Sequence, residues 1–378
     1  MTLDIPDCFQ WRLDKLRRAT ADAGASLYLA DHGELMGWLT GYQGTETMYR
    51  AVLIPVVGPI WAVVRKLDAP QVISRSWLHN VIGFDDWADP ITEVANSVIA
   101  RNFGSAKILT DSASYSFTAH MLSRLSAELP DATFVFNPGL SDKIRAVKDT
   151  SEIDTLRQSS KIADQSMERL RSEICVGMTS RDAGAIAASS YMKFGGDDGQ
   201  VGRICLGRGS TGFLHAELDD VPLREGDVLH AELVPKVQGY SSRLMRPIAI
   251  GKVLPKSEAI TNALIYHQDQ QIAAMISGQV AADVDAVLRN GLIKDGVREV
   301  YENVSGYMLG LYGRTPRSSD FSHVFLPNSD WTLQSGMVFH MYTSAEGIAI
   351  SETVLVTDQG GDRLTQTPRQ MLVSGFRK

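Results

Sequence analysis

The chain has 378 residues, of which 44% are hydrophobic and 21% are charged, and its formal net charge is -7. This length predicts two domains, and the composition is that of a globular protein and not of a disordered chain. Because the chain is acidic and has no basic run, a nucleic-acid partner is not expected, and a small molecule is the expected ligand.

The first part of the chain alternates helical and strand patterns. Apolar residues recur at helical spacing over two segments, and short apolar runs that are typical of strands lie between and after them. The helical segments are 9–24 and 117–129, and the strand segments are 26–30, 51–64 with a Pro/Gly turn, and 132–136. This alternation predicts an α/β domain, to which we assign residues 1–148.

The composition changes after residue 148, where a long helical pattern begins. Asp149 and Glu152 have the spacing of a capping box at the start of this helix. Further helices are predicted at 180–194, 257–276 and 281–296, and strand pairs at 226–251 and 335–360. The strand pairs are expected to turn at Gln238–Gly239 and at Glu346–Gly347. Residues 149–378 are therefore predicted to form an α+β domain, which gives an α+β fold class with two domains.

Cysteine usage and the first residues bear on the compartment. Cys8, Cys175 and Cys205 are scattered and odd in number, so neither a disulfide framework nor a thiolate zinc site is expected. The start of the chain lacks an apolar signal core, and no stretch approaches the roughly 18 apolar residues of a membrane helix. We expect a cytoplasmic protein that does not contact a membrane.

A glycine pattern resembles a dinucleotide-binding motif. Gly207, Gly209 and Gly212 spell GxGxxG after an apolar run. The segment that follows contains Pro222 and has no helical face, and the next strand arrives too soon for a βαβ crossover. We therefore predict no dinucleotide cofactor and interpret the glycines as a flexible loop that leads to His215.

Six motifs occur in a fixed order along the chain. WLTGYQG begins at Trp38, and the later motifs are GDVLHAEL, GYSSRLMR, SGYMLGL, SGMVFHMY and ISETVLVTDQG. In this order they resemble the creatinase/prolidase (pita-bread, M24) family over essentially the whole chain. The resemblance implies a creatinase-like N-terminal domain, a pita-bread catalytic domain and a homodimer.

The metal-dependent members of this family hold two divalent ions with two aspartates, one histidine and two glutamates. Carried over position by position, these ligands fall on Glu232, Arg243, Tyr307, Tyr342 and Ser351. A guanidinium has no lone pair to donate and places a permanent positive charge where a dication would lie. Arg243 can instead pair with Glu232. We therefore expect no metal and no other cofactor.

The family also has members that act without metal, and the chain resembles these most, the ectoine hydrolases first and the creatinases second. In creatinases a histidine at a fixed distance before the GD turn is catalytic, and His215 lies at the matching distance before Gly226 and Asp227. The resemblance thus implies that His215 is the catalytic acid and base. A histidine can take a proton from water and give it to a leaving nitrogen.

The resemblance and the residue types suggest roles for the other site residues. Glu232 is predicted to act with His215 by binding a cationic amidine, and Arg243 or Arg246 to bind a substrate carboxylate through a forked contact. Tyr307 and Tyr342 are predicted to line the cavity and to donate their hydroxyls.

Three further predictions concern other positions. Glu352 is included among the substrate-binding residues, although adjacent strand residues face opposite sides and it would need a bulge to enter the site. Arg50 is included because partner subunits complete the pocket in family dimers, the alternative being a surface arginine. His230 and His340 are interpreted as ordinary strand histidines, although His230 alternates with Glu232 and is expected to share its face.

The assigned residues also have purely structural alternatives. His215 can be a simple loop histidine, Glu232 and Arg243 a structural ion pair across a hairpin, and Tyr307 and Tyr342 core aromatics.

Three function classes therefore remain. The first is a metal-independent hydrolase of a C–N bond in a small amidine, guanidine or amide that bears a carboxylate. The second is a metal-dependent Xaa-Pro dipeptidase, and the third is a catalytically inactive pita-bread protein that binds a ligand.

Overall fold

A computed structural model describes residues 5–44, 47–207, 212–312 and 323–375. Its backbone divides into two compact units between Arg145 and Ala146. Among these described residues, no helix is long and apolar enough to cross a membrane. Gly209, the middle glycine of the GxGxxG pattern, lies outside the described residues.

The first unit is a mixed sheet with helices, as the α/β prediction requires. Its strands are β1 (Leu27–Ala30), β2 (Ala51–Pro55), β3 (Trp61–Arg65), β4 (Val81–Phe84), β5 (Lys107–Thr110) and β6 (Thr133–Phe136). Its helices are α1 (Asp7–Asp22), α2 (Gly33–Thr40), α3 (Ala69–Arg75), α4 (Pro90–Ile99), α5 (Ala119–Glu128) and α6 (Leu140–Ile144). The strand order is β4-β3-β2-β1-β5-β6, with β5 parallel to both of its neighbours.

The second unit contains four long helices and a large, mostly antiparallel sheet among its described residues. The helices are α7 (Thr150–Glu173), α8 (Ser180–Lys193), α9 (Pro255–Ala273) and α10 (Ala281–Lys294). The strands are β7 (Ile204–Leu206), β8 (Val228–Leu233), β9 (Lys236–Val237), β10 (Tyr240–Ser241), β11 (Leu244–Ala249), β12 (Gly306–Met308), β13 (Val324–Phe325), β14 (Val338–Ala345), β15 (Ile348–Thr357), β16 (Gly360–Arg363) and β17 (Leu372–Val373). The main strand order is β13-β12-β14-β15-β11-β8-β7.

The predicted helix start and one predicted turn are confirmed by the geometry. The Asp149 side chain accepts a hydrogen bond from the Glu152 backbone N–H at 3.0 Å, and Glu152 accepts one from the Asp149 N–H at 3.1 Å. This capping box begins α7. Glu346 and Gly347 both have left-handed backbone angles, as a two-residue hairpin turn between β14 and β15 requires.

The first hairpin of the second unit differs from the expected pair of continuous strands. Gln238 and Gly239 do form the left-handed turn. However, β8 ends at Leu233, and the turn is carried by a separate short ribbon of β9 and β10. A proline follows at position 235, and its missing N–H cannot continue a strand ladder. The interruption places Arg243 in the short connection that precedes β11.

Gly207 has a packing role that explains part of the GxGxxG pattern. A Cβ atom at this position would collide with the backbone carbonyl oxygen of Gly347. The Gly207 N–H donates a hydrogen bond to the Val228 carbonyl at 3.0 Å, which fixes the strand end in this position. The glycine is therefore required where two backbones approach closely.

Candidate active site

The main sheet of the second unit has one face that packs on helices. Leu229, Ala231 and Leu233 of β8 form a core cluster with residues of α7 and α8. Because successive strand side chains point to opposite faces, His230 and Glu232 lie on the other face. The prediction that His230 and Glu232 share a face is confirmed.

This other face carries the candidate site, and we call it the site face. It is defined by neighbours across the strands: Glu232 pairs with Met245, Met245 with Ser351, and Ser351 with Tyr342. The ring of Tyr307 lies 6.1 Å from that of Tyr342. Four of the five positions that correspond to metal ligands in the family therefore lie on one face, and the fifth, Arg243, extends over it.

Arg243 forms the electrostatic centre of the site face. Its Nη1 donates to Oε1 of Glu232 at 2.9 Å, and the two side chains are 12% and 7% exposed. The other Glu232 oxygen accepts from the Arg203 backbone N–H at 3.2 Å. The guanidinium carbon of Arg243 also lies 5.5 Å from the Tyr307 ring centre, within cation–π range. The predicted Glu232–Arg243 pair is thus present.

The contacts of Arg243 reveal the curvature of the sheet. Glu232 belongs to β8 and Tyr307 to β12, and three strands lie between them in the sheet order. A flat sheet with strands about 4.8 Å apart would separate these two side chains by far more than one guanidinium can span. The sheet is therefore bent towards the site face, and Arg243 bridges its two sides.

Aromatic rings form the far side of the site. His340 lies edge-on to Tyr307 with ring centres 5.0 Å apart and is stacked on Tyr342 at 5.2 Å. Burial raises the pKa of the Tyr307 and Tyr342 hydroxyls, so both remain protonated. Burial, and then the charge of Arg243, lowers the pKa of His340 well below its ordinary value. Two phenols and one neutral imidazole therefore line this side.

The structure corrects the prediction that Arg246 and Glu352 bind the substrate. Arg246 is fully buried on the helix-packed face, where Nη2 donates to Glu352 at 2.6 Å and the other N–H groups donate to backbone carbonyls. Glu352 is also fully buried and accepts from Arg369 at 2.7 Å and from Thr365. Both residues are engaged in a structural network away from the site face. No bulge turns Glu352 towards the site, because it lies opposite Met341 in the regular register of β14 and β15.

His215 lies at the rim of the site face. It ends a short 3₁₀ turn, Phe213–His215, and its side chain is exposed. Phe213 and its neighbours pack in one cluster with Met245 and Tyr342, and the Cys205 thiol donates to the Phe213 carbonyl at 3.1 Å. These contacts anchor the turn beside the site. The catalytic role of His215 stays a prediction.

Arg50 belongs to the first unit and is not a surface residue. It is only 6% exposed and precedes β2. Its charge acts on Asp31, whose pKa is raised to about 6 by burial, against the lowering effects of hydrogen bonds from Ser114 and Tyr49 and of the charges on His32 and Arg50. The surface-arginine alternative is therefore wrong, and the role of Arg50 in a pocket stays a prediction.

Two histidines and a serine on the site face were assigned no role from the sequence. His230, His340 and Ser351 are buried, and among the described residues no hydrogen-bond partner is found for either histidine ring or for the Ser351 hydroxyl. His230 lies edge-on to Phe213 at 5.0 Å. The alternation of His340 with Tyr342 was the available signal, since residues two apart on a strand share a face.

The buried His230 leads to a prediction on acid stability. Burial lowers its pKa to about 4, whereas an unfolded histidine has a pKa of about 6.5. Between these values the unfolded chain binds more protons at this histidine, so the contribution of His230 to the free energy of unfolding falls as the pH is lowered from 6.5 to 4. We expect His230→Phe to reduce this slope by up to about 1.4 kcal/mol per pH unit, measured by urea unfolding at several pH values. An unchanged slope would contradict the neutral buried state.

Comparison with known proteins identifies the family. Residues 154–358 match Metallopeptidase family M24, and residues 12–147 match the Creatinase/Prolidase N-terminal domain. The chain therefore belongs to the M24 family, as its motifs predicted, and the two-domain fold class is confirmed.

Similar proteins include hydrolases of different specificity. The chain is 24% identical to the ectoine hydrolase of Halomonas elongata, with 96% of each chain covered. It is 26% identical to the probable dipeptidase PepE of Mycobacterium tuberculosis, again with 96% of each covered. The structure of an Xaa-Pro dipeptidase from Bacillus anthracis matches with a TM-score of 0.82 and 22% identity, covering 97% of this chain and 99% of that one. The first two similarities support hydrolysis as the activity and leave the substrate open, and the third shows the fold.

The residues at the family's metal positions do not fit a pair of metal ions. Among Glu232, Arg243, Tyr307, Tyr342 and Ser351 there is a single carboxylate, and Arg243 already binds it. Within the described ranges, no group of three histidine, cysteine, aspartate or glutamate side chains is arranged to hold a metal. Hard divalent ions and zinc both need several such ligands. The side chains at these positions therefore do not form the metal site that the name Metallopeptidase implies.

Proposed function

We propose that this protein is a metal-independent hydrolase of a C–N bond in a small amidine, guanidine or amide that bears a carboxylate. The observation that carries the proposal is the Glu232–Arg243 ion pair at the positions of two metal ligands. A bound amidine or guanidine of this class offers a cationic nitrogen group to Glu232 and a carboxylate to Arg243. Its two ends thus match the two charges of the site.

The proposed reaction needs no Lewis acid, because a protonated amidine carbon is already electrophilic. Water attacks this carbon while His215 takes one of its protons, and a C–O bond forms. His215 then gives the proton to the leaving nitrogen as the C–N bond breaks. The exposure of His215 allows water to reach it. The Tyr307 and Tyr342 hydroxyls donate to the oxygen that gains electron density.

The dipeptidases among the similar proteins provide the alternative, a metal-dependent peptidase. Peptide hydrolysis by two metal ions requires ligands that hold the bridging water. An arginine at position 243 supplies none, and it repels a dication at close range. This alternative therefore predicts a strict dependence on added metal that the proposed function does not.

One experiment separates these functions. The protein is purified, treated with EDTA and assayed against ectoine, creatine and an Xaa-Pro dipeptide, with and without added Mn²⁺, Co²⁺ or Zn²⁺. We expect hydrolysis of an amidine or guanidine compound at a rate that neither chelation nor added metal changes more than about twofold.

The control is elemental analysis of the active preparation, which must show less than one equivalent of metal per chain. Dipeptide cleavage that appears only with added metal would establish the alternative instead. An absence of turnover with every compound would favour a binding protein.

A further inference from the structure

His340 and Ser351 are two buried polar residues whose position on the site face has no structural explanation. Both are 0% exposed, and among the described residues neither ring nitrogen of His340 nor the Ser351 hydroxyl has a hydrogen-bond partner. An unpaired buried polar group costs about 1–3 kcal/mol, and native proteins keep few of them. These atoms therefore need a partner other than the described residues.

The two residues lie close enough in the sheet to share one ligand. Ser351 pairs with Tyr342 across β14 and β15, and Tyr342 is two residues from His340 on the same face. The His340 ring is fixed between Tyr342, on which it stacks, and the edge of Tyr307. A preorganised ring of this kind offers its hydrogen bonds at little entropic cost.

The charge around His340 decides which kind of ligand fits. The guanidinium of Arg243 lies over the ring of Tyr307, which in turn contacts His340 edge-on, so a positive charge lies near the His340 ring. A positive potential repels a cation and attracts an anion. The neutral imidazole provides one N–H donor, and the Ser351 hydroxyl provides another.

We propose that His340 and Ser351, together with the charge of Arg243, form the subsite that receives the carboxylate of the substrate. This inference rests on the proposed function and adds an orientation to it. The carboxylate lies towards β14 and β15, and the cationic C–N end lies towards Glu232 and the rim at His215.

His230 is a matched control on the same face. It too is buried, has a lowered pKa and lacks a hydrogen-bond partner among the described residues. Its charged neighbour, however, is Glu232, whose negative charge acts to raise the pKa of His230. The potential there is unfavourable for an anion, so His230 should not contribute to carboxylate binding.

The test uses butyrate and butyramide as probes, which are alike in size and differ in charge. Their dissociation constants are measured by NMR titration of the full-length protein. We expect the wild type to bind butyrate more tightly than butyramide. His340→Phe and Ser351→Ala should each weaken butyrate binding about tenfold or more, which is the usual effect of losing a hydrogen bond to a charged group. Butyramide binding should change less, and His230→Phe should leave the butyrate constant unchanged.

Two results would overturn the subsite. One is a wild type without preference for butyrate, and the other is wild-type butyrate affinity in Ser351→Ala, as expected if the buried atoms hold only ordered water. Ser351→Ala removes one atom and stays informative if His340→Phe does not fold. Because the assay needs no turnover, butyrate binding as expected in a protein that hydrolyses no C–N substrate would support the subsite while the proposed function fails.

Discussion

Replacing His215 by alanine is expected to lower kcat for the C–N substrate by about 10² to 10⁴-fold, the usual contribution of a general acid and base. In the proposed reaction this imidazole both activates water and protonates the leaving nitrogen. The loss should appear mainly in kcat, since Glu232 and Arg243 continue to bind the substrate. Steady-state kinetics on the wild type and the variant measure it.

The control for this variant is His120→Ala. His120 is also an exposed histidine, but it lies on α5 in the first unit. Neither variant should change the free energy of unfolding appreciably, because exposed side chains away from special features contribute little. Full turnover by His215→Ala would exclude the proposed mechanism, whereas equal losses in both variants would point to an effect unrelated to the site.

Replacing Arg246 by methionine is expected to lower the free energy of unfolding by about 3–5 kcal/mol. Arg246 is fully buried and pairs with Glu352, which is also fully buried. Its removal leaves the carboxylate with less compensation and leaves several backbone carbonyls without a donor. Urea unfolding of both proteins measures the difference.

The matched control is Arg157→Met, which removes the ion pair between Arg157 and Asp362. Both of these side chains are about half exposed. Exposed pairs contribute less than about 1 kcal/mol, so this variant should be nearly as stable as the wild type. The fraction of Arg246→Met that is folded should keep the wild-type KM, because Arg246 lies on the helix-packed face. A raised KM in folded protein would place Arg246 in the site after all.

Much of the fold followed from local patterns in the sequence. The Asp149–Glu152 spacing marked the start of α7, and the Glu346–Gly347 pair marked a turn, because both depend on interactions between near neighbours. The two-residue period of strands correctly placed His230 with Glu232. These features need no knowledge of the tertiary structure.

The failures concerned side chains whose environment is built by distant segments. Arg246 lies in β11 and pairs with the buried Glu352, whereas Arg243 lies in the connection before β11 and pairs with Glu232 on the site face. The carboxylate of Glu352 accepts hydrogen bonds from Arg369 and Thr365, which lie in the segment after β15. No local sequence pattern predicts these hydrogen-bond partners.

The reach of Arg243 to Tyr307 was likewise not predictable. It depends on how strongly the sheet bends between β8 and β12, which is a property of the packed helices and strands together. The sequence indicated that Glu232 and Arg243 could pair. It did not indicate that the same guanidinium would also contact an aromatic ring from the other side of the sheet.

The position of Arg243 has a consequence for how such a site is assembled in the cell. A metalloenzyme must acquire its ions after synthesis, and divalent metals compete for the same ligands in a fixed order of affinity, so the wrong ion can be inserted. The guanidinium of an arginine is part of the polypeptide from its synthesis and cannot be exchanged. The charge at this centre is therefore independent of the nutritional supply of trace elements.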